Sequence, residues 1–358
     1  MIEIIILILL FFLINISFFY TIKRISGQDY SLVKNLNFSV VIAAKNEETN
    51  IPGLINSFNN LNYPEENFEI ILVDDNSTDN TFNTANNLTD NIDNFKLYKI
   101  TEKELPGKKG ALTFGIGKTN NPYIMITDAD CLPSPNWLNI CSEYFRKGFD
   151  FIFGISPFKQ NKHLINKIAC FENLRSSILT FTAAKLGIPY SASARNFGFK
   201  KSSFEKLNGY ANTAETLSGD DDLLLREAVK NKFKIAAIID KDASVLSFTK
   251  NTFKEYIAQK SRHTKTSVHY LLKHKILLGS WHILNLFFLF SIILCFVNSI
   301  FIWLFVLKIL TDITLVLLTQ KTFDYKFNIF EILYLQIFYE LFLIINFFGA
   351  LFRKDKWE

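Results

Sequence analysis

Residues 2–22 read IEIIILILLFFLINISFFYTI and carry one charge, Glu3. A helix needs about 20 apolar residues to cross a bilayer, so this stretch is long enough to span one. It lacks the basic leader and small-residue cleavage site of a removed signal peptide, and residues 1–22 are expected to remain as an anchor. A second apolar region runs from about 277 to 318 and is long enough for two spans broken near Asn298 and Ser299. Inside it Lys308 and Asp312 stand at the i,i+4 spacing at which helical side chains pair, which lowers the cost of charge at membrane depth. A third apolar region covers about 330–352. The 49% apolar content is therefore concentrated at the chain's ends, which excludes an ordinary soluble globule; residues 276–352 are expected to form about three transmembrane helices.

Basic residues set the orientation. Lys23, Arg24 and Lys34 flank the first span, and Lys265, Lys273 and Lys275 precede the second. The positive-inside rule places residues 23–276 in the cytoplasm, as in an integral protein of a bacterial-type inner membrane. Four spans would put Arg353, Lys354 and Lys356 on the far side, so either one apolar region lies in the interface or the tail is an exception. Residues 250–275 hold seven Lys and Arg against one acid, Glu255, and account for much of the net charge of +5. A basic interfacial helix over 251–275, lying on anionic membrane lipids and not on nucleic acid, is expected; Phe253, Tyr256 and Ile257 would face the acyl boundary. Cys131, Cys141, Cys170 and Cys295 show no zinc-type spacing and suit free thiols in a reducing compartment.

The middle of the chain has a different pattern. SVVIAA (39–44) and FEIILV (68–73) are unbroken apolar runs, as in strands covered on both faces of a parallel sheet. Helical spacing lies between them over 48–61 and follows over 78–88, then a strand near 96–100, a helix near 109–118 and a strand opening at Tyr123. This alternation predicts a doubly wound α/β sheet, whose ligands bind beyond the carboxyl ends of the strands. Polar residues gather there: Lys45 to Glu48, Asp74 and Asp75, then Asp128 and Asp130. In an extended chain Asp128 and Asp130 share a face, and two such carboxylates suit Mg²⁺ or Mn²⁺ carrying a diphosphate; a turn or cap that happens to hold two acids is the alternative. Ser77, Thr78 and Asp79 suit a helix cap. The sequence GIGKT at 115–119 imitates the end of a P-loop, but no strand feeds it and the first glycine would fall at Leu112. Residues 164–186 have an amphipathic pattern that Gly187 and Pro189 stop.

Six motifs occur in order: VVIAAKNEE (40–48), VDDNSTD (73–79), GKKGAL (107–112), DAD (128–130), SGDDDL (218–223) and QKSRH (259–263). Together they resemble the family 2 glycosyltransferases of GT-A fold, over about 38–265 and the flanking membrane helices. The resemblance implies a Rossmann-like, mostly parallel α/β GT-A domain over 36–250. It implies that Ala44, Glu48 and Asp75 hold the nucleotide, that Lys108 contacts ribose or phosphate, and that Asp128 and Asp130 bind a divalent metal and the diphosphate. Asp220 matches the acid of the family's T-E-D motif, the general base of inverting members, although Ser218 and Gly219 replace the first two residues. Gln259 and Arg262 match Q-x-x-R-W, with His263 in place of the tryptophan. Arg195 and Asn196 fall in the region that lines the family's acceptor side.

The expected function is inverting transfer of a sugar from a nucleotide-diphospho sugar, a UDP-sugar being favoured, to a lipid-linked acceptor at the membrane. The alternatives are a processive polysaccharide synthase and a non-catalytic subunit that binds nucleotide sugars. Because His263 replaces the aromatic platform of processive synthases, single transfer is preferred.

Overall fold

A computed structural model describes residues 2–22, 35–216 and 219–352. Lys23, Arg24, Lys34, Ser218, Arg353, Lys354 and Lys356 lie outside the described residues. In chain order the elements are α1 (Ile2–Thr21), β1 (Phe38–Ala44), α2 (Ile51–Asn59), β2 (Phe68–Asp75), α3 (Thr81–Thr89), β3 (Phe95–Ile100), α4 (Lys108–Gly117), β4 (Tyr123–Asp128), β5 (Leu132–Pro133), α5 (Trp137–Arg146), β6 (Phe151–Gly154), α6 (Leu164–Lys185), β7 (Phe197–Lys200), α7 (Lys201–Lys206), α8 (Asp222–Lys230), β8 (Ile235–Ile238), β9 (Val245–Leu246), α9 (Phe253–Thr266), α10 (Leu272–Phe290), α11 (Ile300–Thr319) and α12 (Ile329–Phe352). They fall into two units: the strands with α2–α5, α7 and α8, and a helical unit of α1, α6 and α9–α12.

The strand unit is a seven-stranded sheet in the order β3-β2-β1-β4-β7-β6-β8, with β5 and β9 paired apart from it. β3, β2, β1 and β4 run parallel, as the unbroken apolar runs require, and β7 lies antiparallel to both β4 and β6. On one face Phe38, Val40 and Ile42 pack with Leu54 and Phe58 of α2 and Trp137 and Phe145 of α5. On the other, Ala111 of α4 meets Ile71 and Val73. Gly115 lets α4 lie this close, since a Cβ there would stand 2.6 Å from Val41 Cγ1; the glycine of the P-loop imitation is thus a packing residue inside a helix. Asn46 (φ 57°) and Asn76 (φ 54°) take the left-handed conformation as the chain leaves β1 and β2. This bends the two loops together: Asn46 Oδ1 accepts from Thr78 N, and Ser77 Oγ accepts from Asn46 N. Ser77 and Thr78 are therefore not the cap of α3, whose N-cap is Asn80.

Among the described residues of the helical unit, four helices are long and apolar enough to cross a membrane: Glu3–Thr21, Leu272–Phe296, Ile300–Phe323 and Ile329–Gly349. The break between the middle two falls at 297–299, where Asn298 and Ser299 indicated it. Lys308 bonds Asp312, as its spacing predicted, but in a larger network: Arg175 Nη2 is 3.1 Å from Asp312 Oδ1, and Lys308 Nζ is 3.5 Å from Glu340 Oε1. Two cations and two carboxylates balance in an apolar surround. Asp312→Ala leaves two buried cations with too little counter-charge and is expected to cost about 3–5 kcal/mol, read as a lower melting temperature of the detergent-solubilised chain. α6 is not amphipathic; Asn166, Glu172, Arg175, Thr180 and Thr182 are buried among its apolar residues.

The basic stretch 251–275 is divided, with α9 ending at Thr266 and α10 beginning at Leu272. Thr252 and Glu255 form a reciprocal capping box that starts α9. Tyr256 does not face an acyl boundary: it is 1% exposed and stacks on Phe342 of α12 at 5.0 Å. Lys260 pairs with Glu172, so this cation too is spent within the helical unit.

Candidate active site

The carboxyl ends of β2, β1 and β4 lie side by side because these strands are neighbours in the sheet. Ala44 closes β1 and is 1% exposed. Glu48, expected on the nucleotide, directs its carboxylate at Asn80 instead, accepting from Asn80 N at 3.1 Å and Asn80 Nδ2 at 3.3 Å. Glu48 N in turn donates to Asp79, so Glu48 braces the two loops against each other. Asp75 meets Lys103 Nζ with both oxygens, at 2.6 and 2.5 Å. Asp74 is fully buried, with no hydrogen-bond partner on either carboxylate oxygen.

β4 ends at Asp128, and Asp130 follows in a turn. Strand alternation is therefore not what brings the two acids together, as the sequence pattern had suggested; the turn does it, gathering ligand atoms of Asp128, Asp130 and Cys131 within 4.8 Å. The two carboxylates fit a hard divalent cation. Cys131 does not: its thiol donates to Asp130 Oδ1 at 3.4 Å, and burial, with the charges of Asp130 and Asp128, pushes it well above the usual thiol range.

Lys108, the first residue of α4, joins this pair to Asp220. Its Nζ lies 2.5 Å from Asp128 Oδ1 and 2.9 Å from Asp220 Oδ2. Burial alone would depress the ammonium, but the charges of Asp128 and Asp220 outweigh it and hold Lys108 well above its ordinary value. Burial likewise would raise the Asp220 carboxyl, and the Lys108 ammonium overrides it, holding Asp220 below the usual carboxylate range. Gly219, at φ 77°, supplies the left-handed turn that delivers Asp220.

The acidic run divides its work. Asp221 caps α8 and accepts from Ala194 N at 2.8 Å; Asp222 accepts from Ser191 Oγ and Ala192 N. Both acids thus hold the loop before β7, while Asp220 turns to Lys108. Burial, with the charges of Asp222 and Asp220, raises the Asp221 carboxyl well above its usual range. In the same loop Asn196 is buried at 1% exposure; it accepts from Trp137 Nε1 and donates to the carbonyls of Ile155 and Ala243. It is a packing hub whose amide bonds three groups within the strand unit.

Sequence reasoning passed over Lys109. Its ammonium is buried and donates to the carbonyls of Thr213 and Thr216, while Arg226 grips the same turn through Glu215 at 2.6 Å and Asn212 O at 3.2 Å. Two adjacent lysines look alike in sequence, but the roughly 100° between successive helical residues sends them to different partners. Lys109→Met strands two carbonyls near Asp220 and is expected to destabilise the chain by about 2 kcal/mol, measured by thermal melting. Gln259 and Arg262 lie on α9, in the helical unit.

Residues 39–208 match the family model described as Glycosyl transferase family 2. The Dolichyl N-acetyl-alpha-D-glucosaminyl phosphate 3-beta-D-2,3-diacetamido-2,3-dideoxy-beta-D-glucuronosyltransferase of Methanococcus voltae is 26% identical over 300 residues, 77% of this chain and 87% of that protein. The Beta-monoglucosyldiacylglycerol synthase of Nostoc sp. is 37% identical over 92 residues, 26% of this chain and 20% of that protein. The chain thus spans only about a fifth of the length of that relative. Among solved structures, the mannosyltransferase PcManGT from Pyrobaculum calidifontis, in complex with GDP-Man and Mn²⁺, superimposes with a TM-score of 0.60 at 16% identity, over 98% of each chain. Residues 39–208 thus match a Glycosyl transferase family 2 domain, within a mostly parallel mixed sheet of GT-A-like fold, and helices apolar enough to span a membrane stand on both sides of it.

Proposed function

We propose that this chain is an inverting glycosyltransferase that moves a sugar from a nucleotide-diphospho sugar to a lipid-linked acceptor at the cytoplasmic face of a membrane. The observation that carries the proposal is the Lys108 bridge, which sets one partly buried carboxylate, Asp220, a single ammonium away from the paired acids Asp128 and Asp130. A diphosphate leaving group needs cations, and an incoming hydroxyl needs a base; both kinds of group meet here.

In the proposed step the acceptor hydroxyl attacks the anomeric carbon and Asp220 takes its proton. The bond from that carbon to the phosphate oxygen breaks, and its electron pair leaves with the nucleoside diphosphate. Lys108 stands where negative charge grows on the departing phosphate, and Asp75 and Ala44 line the nucleotide side. Asp128 and Asp130 would hold Mg²⁺ or Mn²⁺, which when bound neutralises diphosphate charge. The exposed Lys254, Lys273 and Lys275 of the helical unit are assigned to the anionic leaflet from which the acceptor comes. A lipid-linked acceptor agrees with the name of the Methanococcus voltae relative, which spans most of this chain.

The test is to incubate membranes containing the chain with a panel of labelled nucleotide sugars, UDP-sugars first, and to extract lipid and polymer fractions. Label in a lipid product bearing one added sugar is expected. A product that lengthens by many sugars without release would contradict single transfer, and no label in any fraction would contradict the enzyme.

A further inference from the structure

We infer that Arg195 forms a phosphate-binding subsite beside the acids Asp128 and Asp130, a role resting on the glycosyltransferase reading but separable from it. The guanidinium carbon of Arg195 lies over the ring of Phe158, 4.6 Å from its centroid, and Nε donates to Ser193 Oγ at 3.2 Å. Its Nη1 is buried and meets no hydrogen-bond partner. An arginine held over an aromatic ring, with the N–H groups of Nη1 left over, is arranged to receive a planar or tetrahedral oxyanion.

Its surroundings place that oxyanion. Phe158 bridges to Ser247, which follows Leu246 of β9, and Leu246 pairs with Leu132 of β5, two residues past Asp130. The guanidinium over Phe158 is thus carried by this ladder to the side of the turn that holds Asp128 and Asp130. Its loop is fastened from the other side, since Asp222 accepts from Ser191 and Ala192 and Asp221 from Ala194. The residues after Asp220 thus fix a cation near the acids that precede it in the cleft. An unpaired buried N–H costs free energy unless a ligand satisfies it, and the ligand that suits a guanidinium here is a phosphate oxygen. It belongs either to the donor diphosphate or to the phosphate of a phospholipid-type acceptor.

The experiment uses the full chain in nanodiscs, as wild type, Arg195→Gln and Arg195→Lys. Calorimetry with Mn²⁺ measures affinity for inorganic pyrophosphate, UDP and GDP; native mass spectrometry measures binding of polyprenyl phosphate. Arg195→Gln is expected to weaken one class about ten-fold or more, with Arg195→Lys retaining most of the affinity and all three proteins melting cooperatively. Loss of pyrophosphate and nucleotide binding identifies the donor as the source; loss of polyprenyl phosphate binding alone identifies the acceptor. If Arg195→Gln binds every probe within about two-fold of wild type, the subsite is overturned while the glycosyltransferase reading stands. If wild type binds pyrophosphate or polyprenyl phosphate through Arg195 but no nucleotide, the subsite stands and that reading falls. Wild type binding no probe at all overturns both.

Discussion

Asp220→Asn is expected to keep nucleotide-sugar affinity near its original strength while transfer falls by about 10² to 10⁴, the usual worth of a general base. The amide fills the same space and can still accept a hydrogen bond, but it cannot take a proton from the acceptor hydroxyl. Asp221→Asn and Asp222→Asn are the controls. Their carboxylates accept from the backbone of residues 192–194, an amide oxygen can do the same, and most activity should remain. The pH profile carries a further signature. Because the Lys108 ammonium outweighs burial and holds Asp220 below the usual carboxylate range, the ionised base is present above that lowered value and is lost as pH falls through it. The acid limb of kcat/KM in wild type should therefore lie below the ordinary aspartate value of about 3.9. If Asp222→Asn is the inactive variant and Asp220→Asn is not, the base is misassigned by two positions.

Asp130→Ala is expected to remove transfer and metal-dependent nucleotide-sugar affinity together. Of the three groups gathered at the end of β4, Asp128 already shares its carboxylate with Lys108, and Cys131 is a buried thiol held protonated. Without Asp130 the site keeps one carboxylate, too few for a hard cation that wants several oxygen ligands. Calorimetry with and without Mn²⁺ should show tightening by the metal in wild type and none in the variant, with Asp128→Ala milder in its loss. Transfer that continues at full rate in a chelator would show the metal assignment to be wrong.

The pattern of apolar residues carried most of the fold because each class of burial writes its own period. β1 and β2 are covered on both faces and are unbroken apolar runs; the spanning helices are longer runs of the same kind. β7 was illegible for the opposite reason: four residues, Phe197 to Lys200, lie antiparallel between β4 and β6, and a short strand with a central glycine has no period to read. Tertiary context likewise overrode local chemistry in VDDNSTD. Ser77 and Thr78 suit a cap, but the left-handed Asn46 brings a competing partner within reach. α6 hides its nature because its polar residues are satisfied inside, Arg175 by Asp312 and Glu172 by Lys260.

The candidate site was legible as a set of residue types and not as a set of partners. Asp128, Asp130, Lys108 and Asp220 stand together, but sequence alone cannot say that Lys108 reaches the carboxylates while Lys109 reaches carbonyls. Nor can it say that three consecutive acids turn to one lysine and two stretches of backbone. Glu48 is the clearest case: its motif gave no sign that its carboxylate would bind Asn80 and tie the two loops together. Each of these choices depends on side-chain directions fixed by the fold.

The central claim is that Asp220 deprotonates an acceptor hydroxyl on the face of the sugar opposite the departing diphosphate. Displacement from that face inverts the anomeric centre. The direct measurement is the anomeric proton coupling of the product, read by NMR after transfer from an α-linked nucleotide sugar. A β-linked product from wild type, with none from Asp220→Asn, is the predicted result; an α-linked product would contradict it.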